Sequence, residues 1–138
     1  MKLPDDIALA AFNGDEAAVK AWLEGGGHVD ARDHEDQSTL LLFASGCGHE
    51  RLVVLLLSKR AALDLQTSGR CTALMVAGSQ GHLAIVRRLL RAGAQVGLRN
   101  VRGEMALRVA EREGHAECVR AIKEHVEAVA AGRRAEGT

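Results

Sequence analysis

The chain has 138 residues and no net charge, because eighteen basic side chains balance eighteen acidic ones, and its aromatic residues are two phenylalanines and one tryptophan. This length predicts one domain, while the balanced charge and the scarcity of aromatic stacking surfaces argue against nucleic acid as a partner. Three widely spaced cysteines do not form a disulfide framework, and no apolar run is long enough for a signal peptide or a membrane span. We therefore expect no membrane association and a cytoplasmic location, with a nuclear one also open.

The first 33 residues contain two short apolar patterns separated by Gly14. Ile7 and Ala10 are three residues apart, which places them on one face of a short helix. Four further apolar residues follow the spacing of an amphipathic helix: Ala18, Val19, Trp22 and Leu23. Gly26 can end this second helix. The pattern predicts a pair of antiparallel helices.

The same pattern returns more clearly in residues 67–99. Thr72 is a good helix N-cap because its hydroxyl can accept a hydrogen bond from a free backbone N–H. Leu74 and Ala77 lie on one face of the helix, and Gly81 supplies the left-handed turn that ends it. The second helix carries an apolar stripe, Ile85, Val86, Leu89 and Leu90, and its other side carries Arg87, Arg88 and Arg91.

Equivalent residues recur along the chain at a fixed interval. Thirty-three residues before the third copy stand Thr39, Leu41, Ala44 and Gly48, and thirty-three after it stand Leu107, Ala110 and Gly114. The first copy lies thirty-four residues before the second. A period of this length indicates one small unit stacked on copies of itself.

The fourth copy has the features of a terminal cap. Lys123 stands where earlier copies have Leu57 and Leu90, and Met105 replaces the capping threonine. A terminal unit presents a polar outer surface because no further unit covers it. We expect the domain to end at residue 131 and residues 132–138 to form a flexible tail.

Three glycine–histidine pairs complete the repeat: Gly48-His49, Gly81-His82 and Gly114-His115. The frame Thr-x-Leu-x-x-Ala-x-x-x-Gly-His, followed by a β-branched pair, Leu-Leu and Gly-Ala, resembles the ankyrin repeat, most closely in Thr72 to Ala94. The resemblance implies an all-α ankyrin-repeat solenoid of four helix-turn-helix units with short outward hairpin loops. The units span residues 1–33, 34–66, 67–99 and 100–131, within one domain over residues 1–131.

The chain departs from the ankyrin pattern at the starts of its first helices. The family's proline after the threonine is replaced by Leu40, Ala73 and Ala106, and its histidine two residues later by Leu42, Met75 and Arg108. The family's turn glycine is present as Gly103, but Gln37 and Arg70 hold that place in the middle units. We expect weaker hydrogen bonding there and the same fold. Asp30 and Asp64 occupy a hairpin place where the resemblance implies a side chain that braces the turn.

Histidines and cysteines raise the question of a metal or catalytic site. His49, His82 and His115 recur in register, but stacked helices place equivalent residues about 10 Å apart, whereas zinc ligands lie about 2 Å from one ion. We expect each histidine to hydrogen-bond backbone beside the helix-ending glycine. Cys47 lies near His49 without an oriented acid or oxyanion donor, and His115 with Cys118 supplies only two ligands. The sequence therefore predicts no catalytic residue, no metal site and no cofactor.

The neutral total charge conceals an uneven distribution. Residues 1–33 carry three basic and seven acidic side chains, a net charge of −4, whereas residues 67–99 carry five basic and no acidic ones. Such a distribution favours a partner with the complementary pattern and affects association rate more than affinity. The alternative is a solubilising surface on which the charges segregate by chance.

The resemblance implies a protein-binding module, since ankyrin repeats bind partners along a concave groove of hairpin tips and first helices. Transferred position by position, the partner-binding residues are Glu35, Asp36, Ser38, Cys47, Ser68, Gly69, Cys71, Ser79, Gln80, Arg99, Val101, Arg102, Glu104, Arg112 and Glu113. We expect a monomer with a protein partner, acting as a free-standing inhibitor or as an adaptor. The alternatives are an artificial or purely structural scaffold without a natural partner, and an enzyme.

Overall fold

The computed structural model describes residues 1–136 of the chain. Its helices, in chain order, are α1 (Asp5–Asn13), α2 (Glu16–Glu24), α3 (Leu40–Cys47), α4 (Glu50–Ser58), α5 (Ala73–Ser79), α6 (Leu83–Ala92), α7 (Ala106–Arg112) and α8 (Ala116–Glu136). Within the described residues, β pairing is limited to one isolated parallel bridge between Lys2 and Arg32. The fold is all-α, as the sequence predicts.

The helices form four pairs that stack in chain order. Within the units, α1 packs on α2, α3 on α4, α5 on α6 and α7 on α8. Between units, the first helices α1, α3, α5 and α7 form one row, and the second helices α2, α4, α6 and α8 form another. Each unit therefore packs mainly on its neighbours in sequence, which is the arrangement of a solenoid. The two rows confirm the expected stack of helix-turn-helix units.

The core lies between the two rows of helices. The predicted apolar stripe of α6 is buried: Ile85, Val86, Leu89 and Leu90. The three arginines on the other side of the helix are exposed. In the first-helix row, Leu41 and Leu74 are each only 1% exposed. Burial of a leucine or isoleucine side chain contributes roughly 1.5–3 kcal/mol. These apolar contacts, repeated at every unit boundary, hold the stack together.

Local hydrogen bonds and glycines explain where the first helices begin and end. The Thr72 hydroxyl accepts a hydrogen bond from the backbone N–H of Met75 (3.2 Å), and Thr39 caps α3 in the same way. Left-handed glycines follow all four first helices: Gly14, Gly48, Gly81 and Gly114, with φ from 74° to 79°. Glycine adopts this conformation without steric strain. The predicted cap and the predicted helix ends are confirmed.

Each histidine of a glycine–histidine pair reaches back to the preceding unit. His49 Nε2 lies 2.7 Å from the carbonyl oxygen of Phe12, and a Cβ added to Gly14 would lie 2.6 Å from His49 Nδ1. His82 makes the equivalent contact with the carbonyl oxygen of Gly46 (3.2 Å). Later rings cover earlier glycines in the same way, His82 over Gly48 and His115 over Gly81. The sequence predicts a histidine bound to backbone beside a glycine; in the structure, that backbone and that glycine belong to the neighbouring unit.

The hairpins between units are tight loops closed by backbone hydrogen bonds. The Asp33 N–H donates to the carbonyl oxygen of Ser38 (2.9 Å) across the first hairpin. The second and third hairpins, 67–71 and 100–104, each close one residue sooner with a bond of 3.0 Å. The additional residue of the first hairpin accounts for the thirty-four-residue offset between the first two units.

The turn position of the hairpins is left-handed whether or not it holds glycine. Gly103 has φ 77°, and Gln37 and Arg70 adopt 65° and 62° in the two earlier hairpins. Arg60 (62°) does the same at the end of α4, where Gly93 (100°) stands after α6. A residue with a Cβ pays about 1–2 kcal/mol for this conformation. The departures from the ankyrin pattern thus leave the fold intact at a cost in backbone strain.

Asp30 and Asp64 brace the loop of the following unit. Asp30 Oδ1 accepts a hydrogen bond from the backbone N–H of Ala62 (2.8 Å), and Asp64 Oδ1 from that of Gln95 (2.9 Å). The implied structural role is present, but it acts between units rather than within one turn.

The last helix is longer than the sequence pattern suggests. The sequence predicts that the domain ends at residue 131 and that 132–138 form a flexible tail. In the structure, α8 continues to Glu136, and residues 137–138 lie outside the described residues. Lys123 is exposed on this outer unit, as expected for a cap. Over the part of the chain that the structure describes, no helix combines the length and the apolar character needed to cross a membrane.

Candidate functional site

The hairpins and the exposed sides of the first helices lie on one side of the stack, away from the second helices. Residues of two hairpins and of α1, α3 and α5 line one open cavity, which shows that the two kinds of element meet there. We call this surface, made of the hairpins and of the exposed sides of α1, α3, α5 and α7, the hairpin face.

The residues predicted to bind a partner lie on hairpins, on first helices or next to these elements: Gln80 and Glu113 follow α5 and α7, and Arg99 precedes the third hairpin. The exposed ones are Glu35, Asp36, Ser68, Gln80, Arg99, Val101, Arg102, Arg112 and Glu113, and the half-buried ones are Cys47, Gly69, Cys71, Ser79 and Glu104. Ser38 is buried, because its position closes the first hairpin. The structure brings two sets of them together, one at the first two hairpins and one at the third.

The first set lines an open cavity of about 280 Å³ between α1, α3 and α5. Its apolar lining includes Phe12, Phe43, Gly46 and Val76, joined by the predicted residues Asp36, Ser38, Cys47 and Cys71. Of the residues that line it, Asp36 alone carries a charge. We call it the apolar cavity.

Sequence analysis missed the apolar residues of this surface. Leu9 and Phe12 of α1 are 59% and 55% exposed, although they are large and apolar. Phe43 and Val76 were equally overlooked. A signal for Phe12 exists: it stands two residues before the helix-ending glycine, as does Ser79, which was selected. The weaker match of the first unit and its thirty-four-residue offset hid this equivalence.

Backbone hydrogen bonds join neighbouring hairpins into a ladder. The Ser68 N–H donates to the carbonyl oxygen of Asp36 (2.8 Å), and the Val101 N–H donates to that of Gly69 (3.0 Å). These four predicted residues therefore have a structural role through their backbone. The ladder fixes the spacing of the hairpin side chains along the stack.

The two arginines of the third hairpin differ in their contacts. The Arg99 guanidinium donates to the carbonyl oxygen of Gly103 (2.6 Å), and its own carbonyl oxygen accepts from the Gln66 amide (3.2 Å). Arg102 is exposed, and its backbone N–H donates to Asn100 Oδ1 (2.9 Å). Arg99 thus stabilises the hairpin, while the Arg102 side chain is available to a partner.

The second set of predicted residues forms an ion-pair cluster. Arg112 Nε lies 2.9 Å from Glu104 Oε2, and Arg112 Nη1 pairs with Glu113 Oε1. The Arg112 guanidinium, and after it the Asn100 amide, hold the pKa of Glu104 below its usual range. The charges at this end of the hairpin face are therefore partly neutralised within the chain.

A second open cavity, of about 250 Å³, adjoins this cluster at the third hairpin. Charged residues of both signs line it, among them Arg99, Glu104, Arg108 and Glu111. This end of the hairpin face is polar, in contrast to the apolar cavity.

The first hairpin holds a buried carboxylate. Asp33 Oδ1 accepts a hydrogen bond from the Ser38 N–H (2.7 Å). Burial raises the pKa of Asp33, and the neighbouring Asp36 carboxylate raises it further. In the third hairpin, the neutral Asn100 holds the equivalent place and accepts from the N–H groups of Arg102 and Glu104.

Metal-ligating and nucleophilic side chains are scattered over the described residues. Among the described residues, no three metal-ligating side chains converge. Burial raises the pKa of the Cys47 and Cys118 thiols, which disfavours the thiolate needed by a nucleophile or a ligand. The three cysteines are free.

The outer side of the second helices carries ion pairs between units. Arg88 Nε lies 2.9 Å from Glu50 Oε1, and Arg51 Nε lies 3.3 Å from Glu16 Oε1. Exposed pairs of this kind contribute about 0–1 kcal/mol each. Arg87 remains exposed on this side, as the sequence predicts, so it provides a reference position away from the hairpin face.

Comparison with known families identifies the repeat. The family model described as ankyrin repeats (3 copies) matches residues 7–100, more than half of the chain. A comparison with curated proteins finds no match. The fourth unit lies beyond the matched residues, yet α7 and α8 repeat the helix pair of the other three. The chain therefore belongs to the ankyrin-repeat family.

Proposed function

We propose that this chain is a non-enzymatic protein-binding module whose hairpin face contacts a partner protein. Ankyrin repeats are in general protein–protein interaction modules. The observation that carries the proposal is the greater exposure of large apolar side chains on this face. Leu9 and Phe12 of α1 are 59% and 55% exposed and Val101 is 68% exposed, whereas the exposed valines of the second helices, Val54, Val126 and Val129, are at 40%, 41% and 40%. Exposed apolar side chains surrounded by polar ones are typical of interaction surfaces.

The rigidity of the hairpin face supports the same proposal. The hairpin ladder and the ion-pair cluster order the surface before any partner arrives. Preorganisation lowers the conformational entropy lost on binding, so more of the contact energy appears as affinity. A surface of fixed side-chain spacing is suited to a partner of fixed shape or to a short segment of chain.

Three free cysteines favour a reducing compartment for this module. In an oxidising compartment, half-buried thiols such as Cys47 and Cys71 would be exposed to oxidants. We further propose that the chain acts as a monomer, either as a free-standing inhibitor or as an adaptor, in the cytoplasm or the nucleus.

Paired charge and polarity changes on the two sides of the stack test the binding surface. A partner is captured from lysate of the source cells, and its affinity is measured for a variant with Val101→Glu and Arg102→Glu on the hairpin face. The matched control carries Val54→Glu and Arg87→Glu on the second helices. We expect the hairpin variant to bind at least about tenfold more weakly, a change of about 1.4 kcal/mol, and the control to bind as the parent does.

In this experiment, added salt distinguishes the contribution of charge to binding from the contribution of apolar contact. Exposed charges are screened over about 8 Å at physiological ionic strength, so the association rates of parent and Arg102→Glu should converge as salt rises. A larger effect of the Val54 and Arg87 changes would place binding on the second-helix side. If no partner is captured, the chain is better described as a structural scaffold. If a partner is captured but neither variant weakens its binding, the partner uses neither of the two surfaces tested.

A further inference from the structure

Exposed apolar surface is concentrated at the first unit of the hairpin face. Leu9 and Phe12 stand three residues apart on α1, so they lie on the same side of that helix. Both are more than half exposed. Phe12 opens directly onto the apolar cavity, whose opposite wall includes Val76 of α5.

Gly46 of α3, which lines the cavity, stands at the position that Phe12 occupies in α1. Equivalent positions in later units hold Ser79 and Arg112. A Cβ added to Gly46 would lie 3.7 Å from the Val76 side chain, so a methyl group fits there in ordinary van der Waals contact with Val76. The large Phe12 side chain of the first unit is thus followed by Gly46 at the equivalent position of the second unit, and the hairpin face is indented between them.

The size of the apolar cavity limits what can occupy it. Its volume of about 280 Å³ falls just below the range of about 300–1,000 Å³ that is usual for sites of drug-sized ligands. Aromatic and aliphatic walls with a single charged residue offer few groups to orient a polar ligand. One large apolar side chain from another protein fits this volume and this lining.

The charges around the cavity specify what should flank that side chain. Asp36 lines it, and the exposed Glu35 precedes Asp36 on the first hairpin. The first unit carries a net charge of −4. Basic groups on the partner would therefore be attracted to the rim, and acidic ones repelled.

We propose that the apolar cavity binds one aromatic or long aliphatic side chain of a partner segment that carries lysine or arginine next to it. The proposal rests on the proposed function, because it specifies the chemistry of the partner at one end of the hairpin face. A second copy of this chain is a poorer occupant: the Phe12 that it would insert is followed by Asp15, which brings like charge to the acidic rim.

Labelled peptides with a matched design test the proposal on the full chain. Each fluorescein-labelled peptide has a central Trp, Leu or Ser, flanked by either Lys or Glu, in a Gly/Ser background, and binding is followed by fluorescence anisotropy. Peptides with Trp or Leu between lysines should bind. The Ser–Lys and Trp–Glu peptides should each bind at least about tenfold more weakly, because one lacks the anchor and the other has the wrong charge.

Variants of the protein assign the effect to the cavity. Phe12→Ser should weaken the Trp–Lys peptide by at least about tenfold, whereas Val54→Ser, an exposed apolar residue of α4, should leave it unchanged. Gly46→Ala should weaken binding by filling the cavity, while thermal unfolding shows the variant to be as stable as the parent or more so. Glu35→Lys should weaken the lysine peptides selectively.

Several outcomes would overturn the proposal. They are equal binding of the Ser–Lys and Trp–Lys peptides, no binding of any peptide, and equal effects of Phe12→Ser and Val54→Ser. Concentration-dependent dimerisation of the parent that Phe12→Ser abolishes would assign the cavity to a second copy. A captured partner that is sensitive to Val101→Glu with Arg102→Glu but not to Phe12→Ser would leave the proposed function standing and reject this inference alone.

Discussion

The first and third hairpins share one backbone plan but satisfy their polar groups differently. In the third hairpin, a neutral Asn100 accepts two backbone N–H groups and Gly103 takes the left-handed turn. In the first hairpin, the buried Asp33 carboxylate has a raised pKa, and Gln37, which has a Cβ, adopts the left-handed conformation. The later hairpin is therefore the better optimised for stability.

The same contrast extends to the helices that carry the hairpin face. Near the third hairpin, Glu104 and Arg112 neutralise each other. In the first two units, Phe12 is exposed to solvent, and the buried Ser45 hydroxyl has no hydrogen-bond partner among the described residues. The less well satisfied half of the stack carries the exposed Leu9 and Phe12, and Val101 adds exposed apolar surface at the third hairpin. The contrast between the two ends therefore concerns stability, while the hairpin face extends over both.

The largest effect should come from breaking the contact between the two halves. Leu74 of α5 is 1% exposed, and α5 packs on both α3 and α7. We expect Leu74→Ala to lower the free energy of unfolding by about 2–5 kcal/mol, the usual range for a buried leucine. Denaturant melts measure it, with the exposed Lys123→Ala on the outer cap as the control. Equal losses in the two variants would contradict the stacked geometry.

Exchanging the turn residues of the two hairpins comes next in magnitude. We expect Gly103→Gln to lower the free energy of unfolding by about 1–2 kcal/mol, because glutamine is strained at φ 77° and no neighbouring atom lies within 4 Å of an added Cβ. Gln37→Gly should raise it by somewhat less, since glycine gains entropy in the unfolded chain. Thermal melts of both variants and of the double exchange measure these changes. A loss of stability in Gln37→Gly would show that the first hairpin is not strained.

A smaller gain is expected from the buried hydroxyl of α3. Ser45→Ala should raise the free energy of unfolding by about 1 kcal/mol, because it removes an unsatisfied polar group. Gly78 holds the equivalent place in α5, where an added Cβ would lie 3.6 Å from that of Ala110. Gly78→Ala should therefore stabilise by a similar amount through helix propensity. Measured by calorimetry, Gly78→Ser should raise the free energy of unfolding by less than Gly78→Ala does. Equal increases would show that the buried hydroxyl does not lower stability.

The smallest effects are expected in the pH dependence, with opposite signs at the two hairpins. The folded-state pKa of Asp33 is raised, so its ionised carboxylate lowers the free energy of unfolding at neutral pH. This loss disappears as the pH falls towards 3.8, the ordinary pKa of the group. Asp33→Asn should therefore stabilise the chain at neutral pH, and the gain should shrink on acidification. The folded-state pKa of Glu104 is lowered, so its contribution is present above 4.5 and lost as pH falls below it.

Glu104→Gln should accordingly destabilise at neutral pH and match the parent in acid. Denaturant melts at several pH values between neutral and acid measure both differences. If Asp33→Asn destabilises at neutral pH, the first hairpin needs its carboxylate, and the contrast between the hairpins is wrong.

Periodicity in the sequence was sufficient to predict the fold. The thirty-three-residue register of Thr72, Leu74 and Gly81 with their equivalents fixed the helix pairs, caps and helix ends, because each of these features depends on local residues. Periodicity does not say which unit an equivalent residue touches. His49 contacts the unit before its own, and Asp30 contacts the unit after its own; neither direction follows from spacing alone.

The candidate site was predicted less completely than the fold. Transfer from the family pattern selected hairpin and helix-end residues such as Val101 and Arg102, whose part in binding stays a prediction. It missed Phe12 because large apolar residues on a first helix are expected to be core. Whether such a residue is buried depends on what packs against it from the next unit, and Phe12 is 55% exposed beside the cavity that Gly46 also lines.

The backward reach of the histidines gives the stack a polarity that matches its synthesis. A ribosome makes the chain from the N-terminus, so Gly14 and its carbonyl neighbours have left the exit tunnel before His49 arrives to cover them. Each histidine therefore meets a glycine and carbonyl groups made before it, whereas Asp30 and Asp64 bond to backbone made after them. Gly114, which no atom of the described residues covers, is the last such glycine, and it lies at the end at which a further repeat could be added.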